Sequence, residues 1–285
     1  MQTQPTQTGF DAYTPTWCPG CGDWAIRIGI KTAFTQLGLD PSKIFMAFDI
    51  GCSGNMNDFF NAYAMHTLHG RAVTNAVGMK IANHDLTTIV IGGDGGIYGE
   101  GGNHFLHACR GNHDITVIVH DNMVYGLTKG QVAPTASKGY KSSSTPSGII
   151  EQPVNPLALA ITQGATFVAQ GFAGDTPGLI AIIKEGVKHK GFSLINVLQP
   201  CVTFNKVNTY HYYLEHTYKL DKSHDPTNLK SALEKSVEGF TDKFPLGILY
   251  QSSKKTFHEE LPQLDKPLYQ KGRFTDFDLL IERFM

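Results

Sequence analysis

Two polar side chains follow apolar runs typical of buried strands, and their types suit a hard divalent cation. Asp94 lies in GGDGGIYGEGG, and Asn122 ends HDN after the next apolar run. Carboxylate and amide oxygens, joined by backbone carbonyls, suit Mg²⁺ that already carries phosphate, and the glycines let a phosphate approach. Separately, Asp94 could cap a helix that begins near Gly101, and Asn122 could serve a turn. Together, the two residues predict a Mg²⁺ site.

Four of the five cysteines lie in segments expected to be loops or strand ends. Cys18 and Cys21 occur in WCPGCG, Cys52 in DIGCSGN and Cys201 in LQPCVT. Two thiols separated by two residues occur in redox dithiols, zinc sites and iron–sulfur sites, so the cysteines alone leave zinc and iron–sulfur as alternatives. Cys109 lies inside a predicted helix, where a free cysteine usually behaves as a small buried hydrophobic side chain.

The elements that must position these residues alternate between short β-branched runs and helical stretches. This pattern indicates an α/β fold, a mostly parallel sheet with helices on both faces. The carboxyl ends of such strands share one face, so the polar residues that follow them are expected to form one composite site. The predicted strands are 43–49, 87–92, 114–120, 165–169 and 192–198, and the predicted helices are 23–37, 57–67, 101–110, 156–163 and 176–189.

The second half of the chain contains two less regular segments. Residues 133–148 are rich in Ser, Thr, Gly and Pro and predict a long loop, a feature that is usually functional or mobile. Beyond Phe204 the hydrophobic periodicity weakens and aromatic and charged residues mix. We therefore expect a domain over 1–204 that binds the cofactors and metals, and a C-terminal extension over 205–285 that packs on a partner subunit.

Composition excludes several classes of function. The formal net charge of the 285-residue chain is −1, and there are no long Lys/Arg runs, so no binding to nucleic acid or to an anionic membrane surface is expected. The polar N-terminal stretch lacks the apolar core of a signal peptide, and no apolar run approaches membrane-spanning length. A cytoplasmic location is expected, in which the cysteines do not form disulfides.

Six segments, taken in chain order, resemble the beta subunits of the 2-oxoacid:ferredoxin oxidoreductases of the pyruvate and 2-oxoglutarate class. They are WCPGCGDW, DIGCSGN, HTLHGRA, GGDGGIYGEGG, HDNMVYGLTKGQVAPT and LQPCVTFN, and the similarity runs from about Trp17 to Leu220. The resemblance implies oxidative decarboxylation of a small 2-oxoacid to acyl-CoA and CO₂, with coenzyme A as co-substrate and ferredoxin as electron acceptor. In the reverse direction the same site would carboxylate an acyl-CoA.

The resemblance also implies thiamine diphosphate, Mg²⁺ and a 4Fe-4S cluster as cofactors. It matches the cluster ligands to Cys18, Cys21, Cys52 and Cys201, and the Mg²⁺ ligands to Asp94, Asn122 and the backbone carbonyl of Val124. It makes Ser53 and His69 candidate catalytic residues, whereas an isolated histidine such as His69 would otherwise be expected in the core. The positions expected to line thiamine diphosphate are Gly51, Cys52, Ser53, His69, Gly93, Asp94, Gly95, Gly96, Asn122, Val124, Gly126, Leu127 and Thr128.

One part of a thiamine-dependent active site has no match in this chain. The family places the carboxylate that promotes ylide formation on an alpha subunit, so a hetero-oligomer with the cofactor at the subunit interface is expected. Asn55 stands where some relatives carry a basic residue, which disfavours 2-oxoglutarate unless the alpha subunit supplies an arginine. Two alternatives are a thiamine-dependent decarboxylase or synthase component without electron transfer, and a zinc- or cluster-bearing interaction module.

Overall fold

The computed structural model describes residues 6–241, 243–271, 277–282 and 285. Within them, eight strands form one central sheet and two form a separate antiparallel hairpin. The strands are β1 Ile44–Phe48, β2 Tyr63–His66, β3 Thr87–Gly93, β4 Thr116–Asp121, β5 Val124–Tyr125, β6 Gln131–Val132, β7 Phe167–Phe172, β8 Ser193–Leu198, β9 Thr217–Lys219 and β10 Phe244–Gln251. The order in the sheet is β2-β1-β3-β4-β8-β7-β10-β9, and all of its neighbouring pairs are parallel except β7 with β10.

Helices connect the strands and cover the sheet. Asn155 and Asp175 each cap a helix that has proline in its first turn, and their side-chain oxygens accept hydrogen bonds from backbone N–H groups of that turn. A π-helix, Gly95–Glu100, follows β3 directly. The α-helices are α1 Gly22–Gln36, α2 Ala72–Ala82, α3 Gly102–Gly111, α4 Pro156–Thr162, α5 Thr176–Lys188, α6 Tyr210–His216, α7 Leu229–Ser236 and α8 Phe277–Glu282.

Strand β4 shows how the two faces of the sheet divide the core. Its residue Ile118 belongs to a cluster that includes Ile30 of α1 and Leu179 of α5. Its neighbours Val117 and Val119 belong to a second cluster that includes side chains of α2, α3 and α4. Successive side chains of a strand point to opposite faces, so helices cover both sides of the sheet. The predicted α/β class is confirmed.

The predicted helix 57–67 is wrong. The structure has a 3₁₀ helix, Gly54–Asp58, followed by the edge strand β2, which pairs with β1. All four residues of β2 are exposed, so its sequence does not alternate between buried and exposed positions. Pairing with β1, a tertiary interaction, decides the conformation there. The other four predicted helices and all five predicted strands are present, with ends that differ by a few residues.

Strand β10, which the sequence analysis missed, ties the C-terminal segment to the sheet. It contains Pro245 and Gly247, two residues that argue against a strand, and its register with β7 shifts between Ile248 and Tyr250. The predicted division at residue 204 therefore separates two parts of one sheet. In the part of the chain that the structure describes, no helix has the length and apolar character needed to cross a membrane.

Candidate active site

The candidate site lies beyond the carboxyl ends of β1 and β3, where the strand order reverses. From β1 the chain passes to β2 on one side and then to β3 on the other, and such switch points form ligand crevices in α/β sheets. A cavity of about 340 Å³ opens there. It is lined by all thirteen positions expected to contact thiamine diphosphate, and also by Ile50, Glu100, Tyr125 and Gln131, which sequence analysis did not predict.

Asp94 follows β3 and is buried at the base of this cavity. Asp94 does not cap the helix that begins near Gly101, since Gly101 is the N-cap of α3, and its side chain makes no capping hydrogen bond with the π-helix that it precedes. Burial, and next the charge of Asp121, raise the pKa of Asp94 well above its usual value. Among the described residues, no lysine or arginine forms a salt bridge with either carboxyl group. A divalent cation would supply the missing positive charge.

Asn122 follows β4 with its amide held in one orientation. Its Nδ2 donates to Oε1 of Gln199 at 2.8 Å, and its Oδ1 accepts from the N–H of Val124 at 3.1 Å. Between them Met123 adopts a left-handed conformation with φ 64°, which turns the chain into β5. Asp94, Asn122 and Val124 line the same cavity, and a carboxylate, an amide oxygen and a backbone carbonyl form a donor set that fits Mg²⁺.

His69 lies at the wall of the cavity and is not a core residue, since its side chain is 36% exposed. Its Nδ1 lies 3.1 Å from Oδ1 of Asp49 and 3.6 Å from Oε2 of Glu100, although neither contact has hydrogen-bond alignment. Asp49 is itself fixed by the N–H groups of Ile50, at 2.7 Å, and Gly70, at 3.1 Å. The buried Asp49 carboxylate therefore holds the turn that presents His69 to the cavity.

The four predicted cysteine ligands line a second cavity, of about 260 Å³. Cys52, Gly126 and Leu127 line both cavities and so form the wall between them. A Cβ atom placed on Gly126 would lie 3.6 Å from the sulfur atoms of both Cys52 and Cys201. No three His, Cys, Asp or Glu side chains of the described residues converge on a single metal position, so the thiols surround a space and do not meet at one point.

The thiols lie beside aromatic side chains and a buried carboxyl group, since the thiol of Cys21 donates to Asp23 at 3.3 Å. Burial raises the pKa of Cys21 strongly and that of Cys52 to about 12, so both thiols keep their protons near neutral pH unless a metal displaces them. The Trp17 indole donates to the carbonyl of Cys52 at 2.7 Å. Cys109, by contrast, lies within α3 and is fully buried in the core, as expected from the sequence.

Several polar residues that support the site were not predicted. Thr135, Asp121, Gln199 and Asp49 are all buried. Thr135, Gln199 and Asp49 contact Asp94, Asn122 and His69 respectively, and Asp121 accepts from the same Thr135 hydroxyl as Asp94. Their positions carried a weak signal, because Asp49 and Asp121 stand at strand ends and Gln199 stands two residues before Cys201. Thr135 lies in the long loop over 133–148, whose sequence does not indicate where it folds back.

Two family models match the chain. The thiamine pyrophosphate enzyme, C-terminal TPP binding domain, matches residues 49–197. The C-terminal model of the pyruvate ferredoxin oxidoreductase beta subunit matches residues 201–266.

Curated relatives cover almost the whole chain. A 2-oxoacid:ferredoxin oxidoreductase subunit beta from Sulfolobus sp. is 44% identical, over 95% of this chain and 93% of its own. The 2-oxoglutarate synthase subunit KorB of Methanocaldococcus jannaschii is 34% identical, over 88% of this chain and 93% of its own. A solved structure, 2-oxoglutarate:ferredoxin oxidoreductase from Magnetococcus marinus with 2-oxoglutarate, coenzyme A and succinyl-CoA bound, superposes with a TM-score of 0.91 at 36% identity and covers 98% of this chain and 96% of that one.

Proposed function

The chain belongs to the beta subunits of the 2-oxoacid:ferredoxin oxidoreductases, and on that premise we propose how its two cavities divide the reaction. The cavity beside β1 and β3 binds thiamine diphosphate through Mg²⁺, held by Asp94, Asn122 and the carbonyl of Val124. The cysteine cavity binds a 4Fe-4S cluster. The observation that carries this proposal is the wall of Cys52, Gly126 and Leu127, because it makes the two cavities direct neighbours.

When bound, thiamine diphosphate supplies an electron sink for the loss of CO₂ from a 2-oxoacid. The chain contributes position and charge. Asp94 directly follows β3, so a cation that it held would place the diphosphate beside the glycines of that turn. His69 and Ser53 line the same cavity, and the carboxyl groups of Asp49 and Glu100 lie 3.1 and 3.6 Å from Nδ1 of His69.

The four thiolates hold the cluster at the second cavity. A 4Fe-4S cluster accepts electrons one at a time and would pass them to ferredoxin, whereas zinc, the alternative ion for four cysteines, has no redox chemistry. Because Cys52 lines both cavities, an electron acceptor bound to it would lie close to the reacting centre in the cofactor cavity. Coenzyme A, bound in the solved Magnetococcus marinus relative, is the acceptor proposed for the acyl group.

The enzyme has more than one subunit, since this chain is a beta subunit, and we assign the missing half of the site to an alpha subunit. Leu68 and Leu127 flank the cofactor cavity and are 79% and 50% exposed. Leu214 and Phe240, in the segment after residue 204, are also exposed. We propose that the partner covers these side chains, closing the cavity at Leu127 and contacting the segment after residue 204.

Reconstitution with the alpha subunit tests the proposal. Iron with acid-labile sulfide, together with Mg²⁺-dependent thiamine diphosphate binding, is the expected result. Zinc without iron would favour the interaction module, and Mg²⁺ as the only metal would favour a decarboxylase without electron transfer. Steady-state assays with pyruvate, 2-oxoglutarate and a branched-chain 2-oxoacid would then identify the substrate among the 2-oxoacids.

A further inference from the structure

We propose that Gln199 is a positioning residue that links the two cofactor sites, with one end of its amide holding a Mg²⁺ ligand and the other a cluster ligand. The inference rests on the proposed function, because it assigns those roles to Asn122 and Cys21. It concerns a residue that touches neither cavity itself and acts only through these two neighbours.

Gln199 follows β8 directly, and its buried amide uses every polar atom. Its Oε1 accepts from Nδ2 of Asn122 at 2.8 Å. Its Nε2 donates to the sulfur of Cys21 at 3.2 Å and to the carbonyl of Pro200 at 3.0 Å. The side chain is 1% exposed, so water cannot replace any of these partners.

Local packing keeps this amide in place. A Cβ atom on Gly22 would lie 2.7 Å from Cγ and 3.2 Å from Nε2 of Gln199, so only glycine leaves room for the side chain. The N–H of Gly22 also donates to the carbonyl of Pro200 at 3.2 Å, which joins the start of α1 to the loop after β8. Gly22 immediately follows Cys21, and the same contact therefore places Gln199 beside the thiol.

At the Asn122 end, the link determines which amide atom faces the metal. Mg²⁺ binds oxygen and not an amide NH₂ group. Since Gln199 accepts from the Asn122 nitrogen, the amide oxygen is the atom left for the cavity. Without an acceptor at position 199, the amide could rotate and present nitrogen to the metal, so affinity for Mg²⁺ and thiamine diphosphate would fall.

At the Cys21 end, the link controls how readily the cluster is reduced. An N–H group that donates to a ligating sulfur stabilises the more negative, reduced state, and loss of such a bond lowers the reduction potential. The two effects come from opposite ends of one side chain. Substitutions that remove one end or both ends can therefore separate them.

The experiment uses the reconstituted complex and measures two quantities, the dissociation constant of thiamine diphosphate with Mg²⁺ and the midpoint potential of the cluster. Gln199→Met removes both links at similar volume. We expect the dissociation constant to rise about tenfold, the loss of one hydrogen bond. We expect the potential to fall by about 59 mV, which is a tenfold change for one electron. Gln199→Glu keeps an oxygen acceptor for Asn122, so its dissociation constant should stay close to that of the unmodified complex.

Gln170→Leu is the matched control. Gln170 is also buried, donates to the carbonyl of Pro245 and accepts from Asn196, but it contacts no cysteine and not Asn122. This variant should lose stability and keep the cluster potential. Unchanged affinity and potential in Gln199→Met, or an equal fall in potential in Gln170→Leu, would overturn the proposal. Equal loss of affinity in Gln199→Met and Gln199→Glu would overturn its Asn122 half.

These outcomes differ from a failure of the proposed function. If the unmodified complex bound neither iron nor thiamine diphosphate, the assignment of the two cavities would be rejected together with the link. If the unmodified complex bound both and Gln199→Met matched it in both measurements, the cavities would keep their assignment and only the role of Gln199 would be rejected.

Discussion

The buried carboxyl groups of Asp94 and Asp121 both accept a hydrogen bond from the hydroxyl of Thr135. The hydroxyl of Thr135 lies 2.5 Å from Oδ2 of Asp94 and 2.8 Å from Oδ1 of Asp121. One hydroxyl proton can serve only one of the two at a time. Burial raises the pKa of both groups, and the charge of Asp121 raises that of Asp94 further. Without a cation, ionising both carboxyl groups therefore costs free energy in the folded protein.

Replacing Asp94 with asparagine should therefore exchange function for stability. The variant keeps the shape of the side chain but loses the charge that binds Mg²⁺, so we expect affinity for thiamine diphosphate to fall by about two orders of magnitude. Because asparagine removes a buried acidic group, we expect the free energy of unfolding of the cofactor-free protein to rise by on the order of 1 kcal/mol. Calorimetric titration and denaturant unfolding measure the two effects. Iron content should not change in this variant. Unchanged affinity for thiamine diphosphate would show that Asp94 is not part of the site.

Replacing Cys201 with alanine should lower iron content and nearly eliminate electron transfer to ferredoxin. Cys201 lies far from the other three cysteines in sequence, but its side chain lines their cavity. Cys109→Ala is the control, because its thiol is buried elsewhere and its loss should cost only modest stability. Iron analysis and the paramagnetic signal of the reduced cluster decide the matter. The reverse outcome, with iron lost only in the Cys109 variant, would make Cys109 the fourth ligand.

Two glycine-to-alanine changes should affect stability in opposite directions. A Cβ atom at Gly54 would lie 1.7 Å from the carbonyl oxygen of Asp49, so the backbone beside the cofactor cavity must move, and we expect a loss above about 3 kcal/mol. Gly78 lies inside α2 with no atom within 4 Å of its Cβ position, so alanine should add roughly 1 kcal/mol. Urea unfolding measures both. A small effect at Gly54 would contradict the packing described for that turn.

Histidines should make the protein less stable in mild acid. Burial lowers the pKa of His113 to about 4, below its value of about 6.5 in the unfolded chain. The unfolded state therefore binds more protons between these values, so the free energy of unfolding is at its full value above pH 6.5 and falls as the pH drops toward 4. Burial lowers the pKa of His189 and His258 in the same direction.

The variant His113→Phe should reduce this pH dependence. The His113 ring packs on Phe257 with centroids 4.3 Å apart, and phenylalanine preserves a ring there without a titrating group. We expect the loss of stability between pH 7 and pH 4 to shrink by on the order of 1 to 2 kcal/mol, allowing for partial solvent exposure. Chemical unfolding at several pH values gives the slope. An identical slope in both proteins would exclude a contribution from His113.

The isolated beta chain should show no 2-oxoacid oxidation of its own. Its cofactor cavity is bordered by exposed leucines and lacks the alpha subunit proposed to supply the ylide-activating carboxylate. Addition of the alpha subunit should restore thiamine diphosphate affinity and turnover together. Activity of the purified beta chain alone would refute the half-site assignment.

The sequence predicted most of the sheet because parallel strands buried on both faces are continuous apolar runs. Residues 87–92 and 192–198 are examples, and their strands were predicted within one residue at each end. The edge strand β2 lacks such an apolar run, because all four of its residues are exposed to solvent. The exposed β2 was therefore mistaken for a helix, and α2, whose buried face consists mainly of alanines and Val73, was not predicted at all.

The candidate site was predictable where the chemistry depends on residue type, as for the cysteines and for Asp94 with Asn122. The supporting contacts were not, because they depend on where loops return in space. Thr135 reaches Asp94 across 41 positions of sequence, and Gln199 reaches Cys21 across 178. Residue type alone does not distinguish Thr135 and Gln199 from the threonines and glutamines that face solvent.

The antiparallel pairing of β10 with β7 also bears on how the protein is made. During synthesis β7 and β8 leave the ribosome before β10, which begins about 45 residues after β8 ends. At roughly 5 to 20 residues per second, the outer edge of β7 stays unpaired for a few seconds. An open strand edge is a template for pairing with another chain. Nascent chains on one messenger RNA therefore have an interval of a few seconds in which β7 of one copy can pair with the β10 segment of another. Slow translation of the codons before Phe244 would lengthen that interval.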